Sequence, residues 1–177
     1  WTREEVDRVC ELCIRYKVIL VSDEIHSDLV FSGHGFHSAG ASMAALGGLD
    51  RLVVCTAASK GFNIPGLQCS AIIIPGEKLR GNYSEALKRQ HFMEPNAVGP
   101  VATEAAYREC GDWLEQLLVY LEANRDQVAA YIANEIPGLR AVLPEATYMM
   151  WIDCRELGLS DRELEDFLVH KAKVALN

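Results

Sequence analysis

Apolar and polar positions alternate along the chain in two rhythms, one helical and one of short apolar runs. After Thr2 and Glu5, which have the spacing of a capping box, Val6, Val9, Cys10, Cys13 and Ile14 recur at helical intervals. The chain is therefore expected to open with a helix reaching about Tyr16. Residues 17–21 form a short continuous run ending at Ser22-Asp23-Glu24, the pattern of a buried strand whose C-terminal end carries side chains with chemistry. A second strand is expected over 51–56, after a loop rich in Gly, Ser and His and a short helix near 43–46. It ends in Ala57-Ala58-Ser59-Lys60. A third, 70–74, is closed by Pro75-Gly76. A helix followed by a buried strand predicts a parallel sheet.

From Glu77 onward the pattern is mostly helical. Helices are expected over 77–90, 100–110 and 113–136, the last with Leu114, Leu117, Leu118, Leu121, Val128 and Ile132 as its apolar stripe, stopped by Pro137-Gly138. Short strands are expected over 139–143 and 147–152. Ser160 with Glu163 then caps a final helix toward Lys171. Residues 174–177 read as the opening of another strand without a partner, so both ends are expected to be cuts through a larger protein.

Composition narrows the function classes. The 177 residues, half of them apolar, can bury one substantial core, or one domain and part of a second. Seventeen basic against 25 acidic residues give a net charge of -8, and no Lys/Arg-rich run stands out, so no nucleic-acid partner is expected. No stretch is long and apolar enough for a membrane span, and the first residues lack the order of a signal peptide. No membrane partner is expected, and the cytoplasm is the default compartment, with the six cysteines reduced. Cys10 and Cys13 have the C-x-x-C spacing of redox and metal motifs but lie within a helical apolar pattern, where free cysteine packs as a small hydrophobe. No second C-x-x-C or H-x-x-x-H completes a zinc set.

Asp23 and Lys60 fall at the carboxyl ends of two expected strands, where ligands sit in open α/β sheets. A carboxylate there can hold a proton on a ring nitrogen through a charge-assisted hydrogen bond, and a neutral lysine can attack a carbonyl or take a proton. Pyridoxal 5'-phosphate (PLP) chemistry makes both demands. An Asp and a Lys at strand ends are also common in α/β proteins generally.

Two longer segments add to this. Val21-Ser22-Asp23-Glu24-Ile25-His26-Ser27-Asp28-Leu29 and Thr56-Ala57-Ala58-Ser59-Lys60-Gly61-Phe62-Asn63-Ile64-Pro65-Gly66-Leu67 resemble the two hallmark segments of class I/II aminotransferases, and more narrowly the cystathionine beta-lyase-like C–S lyases of that superfamily. Residues 94–100, 105–107, 113–114, 120–124, 145–148 and 151–153 follow the same branch. The resemblance implies an α/β chain with part of the PLP-dependent transferase fold, fold-type I. Residues 1–112 would belong to the sheet-containing large domain, 113–136 to a connecting helix, and 137–177 to the small C-terminal α+β domain.

Position by position, the resemblance makes Lys60 the Schiff-base lysine and Asp23 the carboxylate on the pyridine nitrogen. His26 stands where many aminotransferases have a tyrosine that hydrogen-bonds the cofactor's O3'. Ser59 and Thr56 are either phosphate-side hydroxyls or small polar residues closing a strand. Gln68 replaces the phosphate-binding arginine of many aminotransferases, a departure from that branch. Tyr148 is either an active-site aromatic or part of a core; His34, His37, His91 and His170 receive no catalytic role. The family's phosphate loop, ring-stacking aromatic and asparagine would precede this chain, and its substrate-carboxylate arginine would follow it. The implied activity is β-elimination from cystathionine or cysteine S-conjugates, giving a thiol, pyruvate and ammonia. The rival on the same cofactor is transamination, and the rival of another class is a non-catalytic interaction module. The resemblance also implies an amino-acid substrate and a homodimer.

Overall fold

In the computed structural model residues 1–92 and 95–176 are described; Glu94, at the head of the 94–100 segment, and Asn177, at the end of the last expected strand, lie outside them. Helix α1 (Arg3–Arg15) starts where the capping box places it: Glu5 N–H donates to Thr2 Oγ1 at 3.2 Å and Thr2 N–H to Glu5 Oε2 at 2.7 Å. It ends when Lys17 turns left-handed (φ 57°), which lets Val18 N–H reach Cys13 O at 2.9 Å. Because Lys17 terminates the helix, strand β1 (Leu20–Asp23) begins three residues later than the apolar run suggests and takes in Ser22 and Asp23.

β1 pairs in parallel with β2 (Leu52–Thr56), Leu20 opposite Leu52 and Asp23 opposite Cys55. β3 (Ala71–Ile73) pairs with β2 antiparallel, Val54 opposite Ile73, so the expectation of a parallel sheet holds for one pairing and is corrected for the other. The cause lies in the link. Residues 57–70 contain only the four-residue α3 (Ala58–Gly61) and a 3-10 turn (Pro65–Leu67), too little to return the chain to the start of a parallel neighbour.

One face of this sheet is covered by α1 and α2 (Ala39–Leu46). Cys10, Ala39, Met43, Leu52 and Val54 are buried there, with Val6, Cys13, Ile14 and Leu20 packed around them. The C-x-x-C pair is thus part of the core, and burial pushes the Cys10 thiol up, with Cys13 and Asp7 adding to the shift. The other face is open: Val21 is 61% exposed, which corrects the reading of its apolar run as a buried strand. Met43 is fully buried, so Met43→Ala is expected to cost about 2–5 kcal/mol through the cavity it leaves, read as a lower urea midpoint.

The chain continues through α4 (Glu77–Arg89), α5 (Val98–Glu109) and α6 (Gly111–Glu135). α5 starts earlier than expected because Asn96 Oδ1 accepts from Val98 N–H at 3.1 Å and Gly99 N–H at 2.9 Å. A second buried cluster joins Ala58, Phe62 and Ala106, with Ile64, Cys110 and Leu114 against it. Residues 1–119 form one compact unit and 120–177 another, the division falling within α6.

In the second unit β4 (Arg140–Val142) and β5 (Trp151–Asp153) pair antiparallel. β5 starts later than the expected 147–152 because Thr147 is left-handed (φ 69°) and its hydroxyl accepts from Met149 N–H at 3.2 Å, forming a turn. α7 (Asp161–Asp166), capped by Ser160 and Glu163, runs into a π-helical turn, Phe167–Ala172. Lys173 (φ 58°) then reverses the chain so that Val174 N–H bonds Leu168 O at 2.9 Å. Residues 174–176 therefore follow the helix without regular structure rather than forming the expected strand. Among the described residues no helix is long and apolar enough to cross a membrane.

Candidate functional site

The chain leaving the C-terminal ends of β1 and β2 carries all five site residues read from the sequence. Asp23 is the last residue of β1 and is exposed; its Oδ1 accepts from Ile25 N–H at 3.4 Å, which opens the turn holding half-buried His26. Asp23 stands opposite Cys55 on β2, whose thiol burial and then the charge of Asp23 push up. Thr56 is the last residue of β2. Ser59 and Lys60 follow in α3, both half-buried, in a turn closed by Phe62 N–H to Ala58 O at 2.9 Å and Ile64 N–H to Ser59 O at 3.1 Å. Gln68 is exposed and left-handed (φ 48°) after the 3-10 turn. Tyr148, in the second unit, is 50% exposed and so is not a core residue.

Three residues that sequence reasoning passed over hold these positions. Glu24 is only 8% exposed, and its Oε1 accepts from Ser22 Oγ (2.9 Å), Ser38 Oγ (3.1 Å) and Ala39 N–H (3.0 Å). Its own N–H donates to Cys55 O at 2.8 Å. A buried carboxylate is tolerated only with such donors, and here they tie the end of β1 to β2 and to the start of α2. An acidic residue between apolar Val21 and Ile25, with Ser38 at a helix cap, was the available signal.

Tyr107, on α5, donates its hydroxyl to Asp28 Oδ2 at 3.0 Å. Asp28 in turn lies against α3: a Cβ added at Gly61 would meet Asp28 Cβ and Oδ2 at 2.9 Å, so this contact requires glycine. Burial first, then the hydrogen bond and charge of Asp28, push the Tyr107 phenol up to about 12, against the pull of Thr56. A raised phenol pKa means that the fold favours neutral tyrosine. Its contribution is whole below the ordinary value near 10 and is lost as pH rises toward 12. In an alkaline absorbance titration a tyrosine step near 12 is expected, and Tyr107→Phe is expected to remove it.

Against this geometry, the sequence matches the family profile described as aminotransferase class I and II over residues 1–176. It is 43% identical over 176 residues to cystathionine beta-lyase PatB of Bacillus subtilis, covering 99% of this chain and 45% of that protein. A PLP-bound crystal structure from Clostridium difficile 630 superposes with a TM-score of 0.95 at 40% identity, covering 100% of this chain and 45% of that one. Cystalysin from Treponema denticola, which contains the cofactor, superposes at 0.94 and 30% identity, covering 100% and 44%. The chain spans a little under half the length of the proteins it matches.

Proposed function

Because the chain belongs to the aminotransferase class I and II family and carries part of its fold-type I architecture, we propose that the protein is a PLP-dependent C–S β-lyase acting on cystathionine or a related cysteine S-conjugate. The observation that carries this reading is the placement of Asp23 and Lys60 at and just beyond the carboxyl ends of the parallel neighbours β1 and β2, in a chain 43% identical to a cystathionine beta-lyase.

The donor set fits the cofactor: the Lys60 amine for its carbonyl carbon, the Asp23 carboxylate for its pyridine nitrogen, the His26 imidazole for O3', and the Ser59 hydroxyl for its phosphate. Thr56, the last residue of β2, offers a second hydroxyl for the phosphate. When bound, PLP supplies an electron sink for the charge left on the substrate Cα. Asp23 keeps the proton on the ring nitrogen through a charge-assisted hydrogen bond. Lys60 Nζ takes the Cα proton as general base. The Cβ–S bond would then break with its electron pair leaving on sulfur, which takes up a proton as the thiol, and water would hydrolyse the three-carbon enamine left behind to pyruvate and ammonia.

Transamination begins with the same proton abstraction but returns the proton to the cofactor side and consumes a keto acid. Incubation with cystathionine and no added keto acid separates the two. Pyruvate released in step with thiol is expected; amino transfer that requires a keto acid, with no pyruvate, would exclude the lyase. The reading includes a homodimer working in the cytoplasm.

A further inference from the structure

Lys60 sits in a helix of four residues, too short to hold its own conformation, so its position must be fixed from outside α3. The contacts that do this converge from three elements. Asp28, in the segment after β1, packs against the Cα of Gly61, the residue following the lysine. Phe62, next along, meets the Tyr107 ring edge-on at 5.1 Å and stacks on Trp113 at 6.2 Å. The Tyr107 hydroxyl then donates to Asp28 at 3.0 Å.

We infer that Asp28 and Tyr107 form a clamp that positions Lys60, closing the segment after β1 and helix α5 around α3. The inference rests on the role of Lys60 proposed above. Neither clamp residue touches the reacting atoms. Both act through the backbone that follows the lysine, which must keep Nζ within a fraction of an ångström of the position from which it takes the proton. The acceptor is a carboxylate, so the tyrosine hydroxyl makes the stronger, charge-assisted kind of bond. Tyr107→Phe removes that bond and keeps the ring packing on Phe62.

The test compares wild type, Tyr107→Phe, Asp28→Ala and Asp28→Asn in the protein with and without PLP. Without cofactor, hydrogen exchange at the Phe62 and Ile64 amides is expected to rise about tenfold in Tyr107→Phe and Asp28→Ala, with β4 and β5 unchanged. With cofactor, kcat for pyruvate release is expected to fall about tenfold with KM within about twofold, since position rather than binding is lost. Asp28→Asn keeps an oxygen for the tyrosine hydroxyl and should recover most of both readouts. Unchanged exchange at Phe62 and Ile64 in Tyr107→Phe, an equal rise across the whole chain, or an unaltered kcat would overturn the clamp. A wild-type protein that releases no pyruvate would instead refute the lyase reading, and the exchange comparison would still decide the clamp.

Discussion

Lys60→Ala is expected to lower pyruvate release from cystathionine by about 10⁴-fold or more, with the urea midpoint close to that of wild type. The size of the loss follows from two roles in one side chain. A positioned general base contributes roughly 10²–10⁴-fold by itself, and the lysine is also the covalent anchor of the cofactor. The fold should survive because Lys60 is half-buried and belongs to neither buried cluster, while α3 is held by backbone bonds and by Ala58 and Phe62. A variant retaining a tenth of wild-type turnover would remove Lys60 from the chemistry.

The largest loss of stability from a single polar residue is expected at Glu24. Alanine there leaves Ala39 N–H and the hydroxyls of Ser22 and Ser38 without the oxygen that now serves all three. An orphaned buried donor costs about 1–3 kcal/mol. The two hydroxyls are only partly buried and can turn toward water, so a total of about 3 kcal/mol is expected, seen as a lower urea midpoint. Glu24→Gln retains one acceptor oxygen and should cost about half as much. Because the same carboxylate ties the end of β1 to α2, Glu24→Ala should also weaken PLP capture, whereas Met43→Ala, in the core behind the sheet, should leave capture nearly intact. An alanine variant as stable as wild type would mean that the buried carboxylate is not the tie it forms in the structure.

What the sequence revealed depended on how local the cause was. The Thr2–Glu5 and Ser160–Glu163 boxes act over three residues, and both helices start where the pattern puts them. Strand β2 was legible because its apolar run is bounded on both sides. The start of β1 was displaced by a left-handed residue, Lys17, at a position where glycine would have given a visible signal. The direction of β3 turned on how little regular structure fills 57–70, which periodicity does not report.

The site divides in the same way. Asp23 and Lys60 stood out at strand ends, but their roles came through the resemblance of two segments and not from spacing alone. Glu24, Asp28 and Tyr107 were missed because their partners are far along the chain: Ser38 and Ala39 for Glu24, and Tyr107, 79 residues away, for Asp28. Only the folded chain brings an acid, a phenol and a glycine together beside the lysine.

The most direct test of Lys60 as the cofactor lysine is borohydride reduction of the protein mixed with PLP, followed by peptide mapping. The expected result is a reduced pyridoxyl group on the peptide carrying Lys60, absent in Lys60→Ala. A label on another lysine, or no label on the protein, would contradict the assignment on which the proposed reaction depends.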